Sequence, residues 1–274
     1  EGTKPFSPFA LFVPFGGYYF RKNILMPRIL VTNDDGVQSA GLSALAEAMR
    51  ALGEVYIVAP AAEQSGASHS LTLARPLRIR HLDERVWSVD GTPTDCVILA
   101  LNKILASELR PDICVSGINY GANLGEDASY SGTVAGALEA TILGVPGVAL
   151  SLATRGQFDF TEAAKFATLA VQKVLSEGLP PGTLLNVNIP AGPLRGARVT
   201  RQGVKMARPA ITEHRDPRGK PYYWIGEQYY GRDAEEGTDY RAVEDGFVSV
   251  TPLRSDLTDH SSLSALAAWH LEDL

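Results

Sequence analysis

The chain has 274 residues, 45% of them apolar and 20% charged, which suits a folded domain with a sizeable core rather than a disordered or fibrous chain. Its net charge of −6, with no basic stripe to offset it, argues against binding along a nucleic-acid backbone. Only two cysteines are present, too few for a disulfide scaffold. Cys96 in a predicted helix and Cys114 in a predicted strand read as core thiols, which fits a reducing cytoplasm.

Residues 1–25 are rich in Phe, Pro, Gly and Tyr and follow no period, so they read as an appended leader, with an arm against a partner subunit as the alternative. The apolar stretch Phe9 to Phe15 is too short for a secretory signal, and Pro5, Pro8 and Pro14 rule out a membrane span there. From residue 26 the pattern turns regular. A buried strand covers Ile29 to Val31, and Leu42, Leu45, Ala46, Met49 and Leu52 recur at helical spacing up to a capping Gly53. Val55 to Val58 is a second strand. Leu71–Arg80 and Arg85–Val89 are short extended segments outside the repeat. Thr92 as N-cap and Pro93 at the first helical position open the next helix. Strands follow at Ile113–Val115, Val148–Leu152 and Leu184–Ile189, with helices at Val134–Leu143 and Thr161–Leu175. The alternation predicts an α/β, Rossmann-like core over 26–194, a mainly parallel sheet flanked by helices. Residues 195–274 predict a β-rich C-terminal extension ending in a short helix over Ser261–Leu271.

Chemistry gathers in the loops that follow the strands, and parallel strands bring such loops to one end of the sheet. After the first strand stand Asn33, Asp34, Asp35 and Gly36. Two adjacent carboxylates repel unless a proton or cation lies between them, and hard divalent cations prefer oxygen. A helix-capping turn fits the same four residues. The second loop carries Ser65 and His69, the third Asn119 and Asn123, and Ser131-Gly132-Thr133 precedes a helix of small residues. Asp34, Asp35, Ser65 and Asn119 make an all-oxygen set of the kind Mg²⁺ or Mn²⁺ accepts and zinc does not prefer. The helix start at Ser131 offers free N–H groups to a phosphate, although a plain N-cap explains it equally. No dinucleotide glycine fingerprint, P-loop or nucleophile elbow occurs. An aspartyl-phosphate route through Asp34 or Asp35 is the weaker chemical alternative.

Several stretches in chain order make the resemblance specific. They are Ile29-Leu30-Val31-Thr32-Asn33-Asp34-Asp35-Gly36, Glu63-Gln64-Ser65-Gly66, Asp90-Gly91-Thr92-Pro93, Val115-Ser116-Gly117-Ile118-Asn119-Tyr120-Gly121, Tyr130-Ser131-Gly132-Thr133 and Gly237-Thr238-Asp239. Between Met26 and about His260 the chain resembles the SurE (survival protein E) family of metal-dependent nucleotidases. The resemblance implies hydrolysis of nucleoside 5′- and 3′-monophosphates, with short polyphosphate as a further substrate. It places one Mg²⁺ or Mn²⁺ per subunit on Asp34, Asp35, Ser65 and Asn119, and the phosphate on Asn123, Ser131, Gly132 and Thr133. It further implies a homodimer or homotetramer built through the extension. Asp34, Asp35 and Asn119 are the expected catalytic residues, and His69 either protonates the leaving group or braces its loop. Tyr120 and Tyr130 are candidates to stack on a base, whereas Tyr222 and Trp224 fit a subunit interface. His81, His214, His260 and His270 read as surface or packing residues. The alternative from another class is a nucleotide-binding or stress-sensing module without turnover.

Overall fold

Short runs of apolar residues buried on both faces are what a parallel sheet between two helical layers requires. The computed structural model describes residues 26–105, 107–154, 156, 159–231, 235–269 and 271, so the expected leader over 1–25 and His270 lie outside the described residues. In chain order the strands are β1 (Arg28–Thr32), β2 (Glu54–Pro60), β3 (Ile79–Asp83), β4 (Val86–Val89), β5 (Ile113–Tyr120), β6 (Gly147–Ala153), β7 (Thr183–Pro190), β8 (Ala197–Val199), β9 (Ala207–Arg215), β10 (Pro221–Tyr229) and β11 (Val248–Arg254). Nine of them form one sheet in the order β3-β4-β2-β1-β5-β6-β7-β11-β8, while β9 and β10 make a separate antiparallel hairpin. The central pairs β2–β1, β1–β5, β5–β6 and β6–β7 are all parallel.

The helices are α1 (Ala40–Arg50), α2 (Pro93–Leu99), α3 (Asp127–Tyr130), α4 (Gly132–Ile142), α5 (Thr161–Glu177), α6 (Asp239–Glu244) and α7 (Leu263–Ala267). One sheet face packs Ile29, Val31 and Ile113 with Leu42, Leu45 and Met49 of α1 and Val171 of α5. Each fully buried side chain of that size contributes about 1.5–3 kcal/mol relative to exposure. The opposite face packs Leu30 and Cys114 with Cys96, Val97 and Leu101 after the α2 start. The expected cap is in place: Thr92 Oγ1 accepts from Asp95 N at 3.1 Å, and Thr92 N donates to Asp95 Oδ2 at 2.9 Å. This reciprocal box satisfies two of the donors a helix start leaves open.

Four elements differ from the sequence reading. β5 does not stop at Val115 but continues to Tyr120, with a register shift against β6 between Ser116 and Asn119 that carries the polar segment into the sheet edge. The extended segments around 79–89 belong to the sheet after all: β4 pairs parallel with β2, and β3 closes the edge antiparallel to β4. α2 gives way after Leu99 to a π-helical turn at Ala100–Ile104. β11 and β8 extend the core sheet beyond β7, so part of the extension is continuous with the core. The exposed hairpin and α7, which buries no residue, stand apart from it.

Candidate active site

The side-chain alternation of β1 continues past its end, and this aims successive polar residues at different helices. Leu30 and Thr32 face the α2–α4 layer. A Cβ on Gly136 of α4 would come within 3.0 Å of both Thr32 Cγ2 and Ser116 Oγ. Asn33 turns the other way and donates to Ser39 Oγ at 2.7 Å, where Ser39 caps α1. A second bond, Asn33 Nδ2 to Gly36 O at 3.1 Å, closes the turn that bears the acids. Asp34 then faces α4 again and is only 5% exposed.

The helix start meets Asp34 directly. Thr133 Oγ1 donates to Asp34 Oδ1 at 2.5 Å, and the Thr133 N–H adds a second bond. Gly132 makes this approach possible, since a Cβ there would stand 2.8 Å from Asp34 Cβ. Burial raises the Asp34 pKa above the ordinary carboxylate value, against the Thr133 bonds that lower it. Asp35 is pushed up to about 6, first by burial and then by the charges of Asp34 and Glu63, while an N–H bond from Tyr120 acts in the opposite sense. All the charges acting on this pair are negative, which is the electrostatic demand for a proton or a cation.

The loops that bear Asn119 and Ser65 reach the pair through backbone bonds. Asn119, next to the Tyr120 N–H that reaches Asp35, donates its Nδ2 to Gly121 O at 2.9 Å, which leaves Oδ1 as the atom the amide could offer a cation. Ser65 is exposed, and its hydroxyl donates to Glu63 Oε1 at 2.6 Å. Its loop is anchored at the base of the acids by Gln64 N to Asp34 O at 2.7 Å. Among the described residues no group of three or more His, Cys, Asp and Glu side chains is placed to hold a metal ion. Two carboxylates with neutral hydroxyl and amide oxygens are donors that suit a hard cation better than zinc.

The expected phosphate residues fall into two groups. Ser131 caps α4, its Oγ accepting from Val134 N at 3.1 Å, which is the plain capping role that the sequence left open. Asn123 is buried and engaged: its Nδ2 donates to Ser151 Oγ at 2.8 Å, its N–H to Asn188 Oδ1 at 2.8 Å, and its carbonyl accepts from Asn186 and Asn188. Asn123 thus fixes the glycine loop to the sheet. His69 Nε2 stands 2.7 Å from Glu139 Oε2 on α4, and Ser68 adds bonds to Tyr130 O and Ser129 O, so the 63–70 loop is strapped across the start of α4. Tyr120 Oη donates to Gly156 O at 3.0 Å, while Tyr130 is 68% exposed. His81 stacks on Trp87, His214 on Tyr222, and His260 bonds to Asp256.

Sequence reasoning passed over Glu63 and the pair Asn186 and Asn188. An Asn-x-Asn alternation inside an otherwise apolar strand was the sign of a buried polar seam on one sheet face. For Glu63 the only sign was its place two residues before Ser65.

A family model described as survival protein SurE matches residues 29–209. The chain belongs to the SurE family. The 5′-nucleotidase SurE of Myxococcus xanthus (strain DK1622) is 53% identical over 247 residues, spanning 89% of this chain and 94% of the relative. The 5′-nucleotidase SurE of Geobacter metallireducens is 50% identical over 251 residues, with 90% and 99% covered. The crystal structure of the SurE protein from Aquifex aeolicus superposes with a TM-score of 0.80 at 48% identity, over 89% of this chain and 99% of that one. In this chain the acids meet the helix start through Thr133, and Asn119 precedes the Tyr120 N–H that reaches Asp35.

Proposed function

We propose that this chain is a metal-dependent 5′-nucleotidase that hydrolyses nucleoside monophosphates to nucleoside and phosphate. The observation that carries the reading is the junction of Asp34 with the start of α4. A carboxylate placed to hold a cation lies in hydrogen-bond contact with a helix N-terminus able to seat a phosphate. Identity of 50–53% to relatives named 5′-nucleotidase SurE, over about nine-tenths of this chain, supports the same reaction. Action on 3′-monophosphates and on short polyphosphate extends the proposal, as does assembly into a homodimer or homotetramer. No helix of the described residues is long and apolar enough to cross a membrane. Both cysteines are free and buried, in keeping with a cytoplasmic setting.

Asp34, Asp35, Ser65 and Asn119 would hold one Mg²⁺ or Mn²⁺ per subunit. When bound, such an ion supplies positive charge for the phosphoryl oxygens and makes water a better nucleophile near neutral pH. The chain's own groups do the rest. One of the two acids, with Asp35 the less buried of them, would accept a proton from water. Backbone N–H groups of Ser131 and Gly132 orient the phosphate and stabilise charge on its oxygens, while Thr133, whose N–H and hydroxyl are bonded to Asp34, fixes the helix start beside them. Ser65 turns from Glu63 to the site, and Tyr120 and Tyr130 offer faces to a base without distinguishing among bases. His69, paired with Glu139, acts as a strap for the Ser65 loop rather than as the acid for the leaving group.

The test is phosphate release from AMP, GMP, 3′-nucleotides and short polyphosphate with Mn²⁺ or Mg²⁺, with and without a chelator. The proposal expects release from 5′-monophosphates that the chelator abolishes. Nucleotide binding with no release under any metal would instead support a sensing module.

A further inference from the structure

The loop over 123–127 joins β5 to α3 and sets where α4 begins, and the core holds only one side of it. On that side stand Asn186, Asn188 and Ser151. Its other side is held by the extension. Asp239 is fully buried, and its Oδ2 accepts from Gly125 N at 2.8 Å while its Oδ1 accepts from Gly203 N and Tyr240 N, each at 2.8 Å. One carboxylate thereby ties the glycine loop to two separate pieces of the extension. Gln202 Nε2 donates to Gly125 O at 2.8 Å, and Lys205 N donates to Glu126 Oε2 at 2.7 Å. The fit is close. Gly125 has a φ of +50°, and a Cβ there would stand 2.6 Å from Gly203 O and 2.7 Å from the Tyr240 ring.

A buried carboxylate that accepts three N–H bonds is a strong, charge-assisted clamp, and its loss leaves buried donors unpaired. The clamp lies at residue 125, six positions before the cap of α4, and touches none of the proposed metal ligands. Its mechanical effect reaches the start of α4 along the chain from Gly125 to Ser131, where the phosphate seat is proposed. We propose that Asp239 is a positioning residue for substrate phosphate. It acts through the 123–127 loop to set the start of α4, so that the C-terminal extension is part of the binding apparatus. The inference rests on the nucleotidase reading above.

Asp239→Asn replaces one acceptor with an amide that faces N–H donors, and Gln202→Ala removes a single exposed arm of the same clamp. In the full-length protein with Mn²⁺, Asp239→Asn is expected to raise KM for AMP about tenfold and leave kcat within about threefold, the pattern of lost ground-state binding. Inorganic phosphate should inhibit it correspondingly less. Its calorimetric affinity for Mn²⁺ should fall less than its affinity for phosphate, because Asp34 meets the helix at Thr133, beyond the cap at Ser131. Gln202→Ala should raise KM about threefold in the same manner. An unchanged KM and phosphate inhibition in a folded Asp239→Asn protein would overturn the proposal, as would a fall in kcat and Mn²⁺ affinity at constant KM. If Asp239→Asn does not fold, Gln202→Ala decides in the same terms, and a wild-type KM overturns the inference. Failure of the nucleotidase reading is a separate result, seen as no phosphate release by the wild-type protein. Calorimetric binding of AMP then compares wild type and variant, with equal affinities counting against Asp239.

Discussion

Asp34 lies 5% exposed, bonded to Thr133 and pressed against Gly132, while Ser65, on the neighbouring loop, is exposed with its hydroxyl turned to Glu63. The first region is set by packing before any ligand arrives. The second is held at its ends by Gln64 and the His69–Glu139 pair, and leaves its middle free to adjust. The difference teaches where binding energy resides. Groups that are already placed cost little to use, whereas Ser65 has to exchange one hydrogen-bond partner for another.

The comparison can be broken most severely at Gly132. Gly132→Ala inserts a methyl 2.8 Å from Asp34 Cβ, 3.0 Å from Asp34 Oδ2 and 3.2 Å from Pro93 Cγ. Overpacking of this kind costs about 1–3 kcal/mol of stability. Displacing the helix start should lower phosphate release by about 100-fold or more, read as kcat/KM for AMP. Thr133→Val keeps the shape and removes the hydroxyl that Asp34 Oδ1 accepts from. It should cost about 1–3 kcal/mol in denaturant unfolding and weaken Mn²⁺ binding about tenfold.

A gentler probe is pH. The Asp35 pKa in the folded protein is about 6, above its ordinary 3.8. Between those values the folded state retains a proton that the unfolded chain has released, so the Asp35 contribution turns destabilising as pH rises from about 4 to about 6. With chelator present, the Tm of wild type relative to Asp35→Asn should therefore fall between about pH 4 and about pH 6. Mn²⁺ affinity should run the other way, rising up to about tenfold per pH unit below 6, because binding must displace the proton. A Tm difference that is flat with pH would show that Asp35 ionises freely in the folded protein. Ser65→Ala is the smallest change expected, weakening Mn²⁺ by about threefold as one neutral oxygen is replaced by water. A loss as large as that of Thr133→Val would erase the contrast between the two regions.

Much of this was legible in the chain itself. Apolar runs ending in polar loops gave the parallel core, and Thr92-Pro93 gave the start of α2, because capping and periodicity are local properties. Asp34, Asp35 and Asn119 could be brought together from the sequence because strand ends of a parallel sheet share an edge. What escaped depended on distant partners. Whether Ser131 was a cap or a phosphate donor turned on the Val134 N–H, and the task of Asn123 turned on Asn186, Asn188 and Ser151, 28 to 65 residues away. Continuation of β5 through Gly117 was hidden because glycine reads locally as a stop, while pairing with β6 sustains the strand. The role of Asp239 lay further off still, with its partner Gly125 114 residues away.

The central claim is that Asp34 and Asp35 anchor a cation on which hydrolysis depends. Its most direct test combines Mn²⁺ calorimetry with phosphate release from AMP for the wild-type protein and Asp35→Asn. The account predicts one Mn²⁺ bound per wild-type subunit, loss of that binding in the variant, and phosphate release by the variant no higher than that of chelated wild type. A folded Asp35→Asn protein with near-full, metal-stimulated release would contradict it.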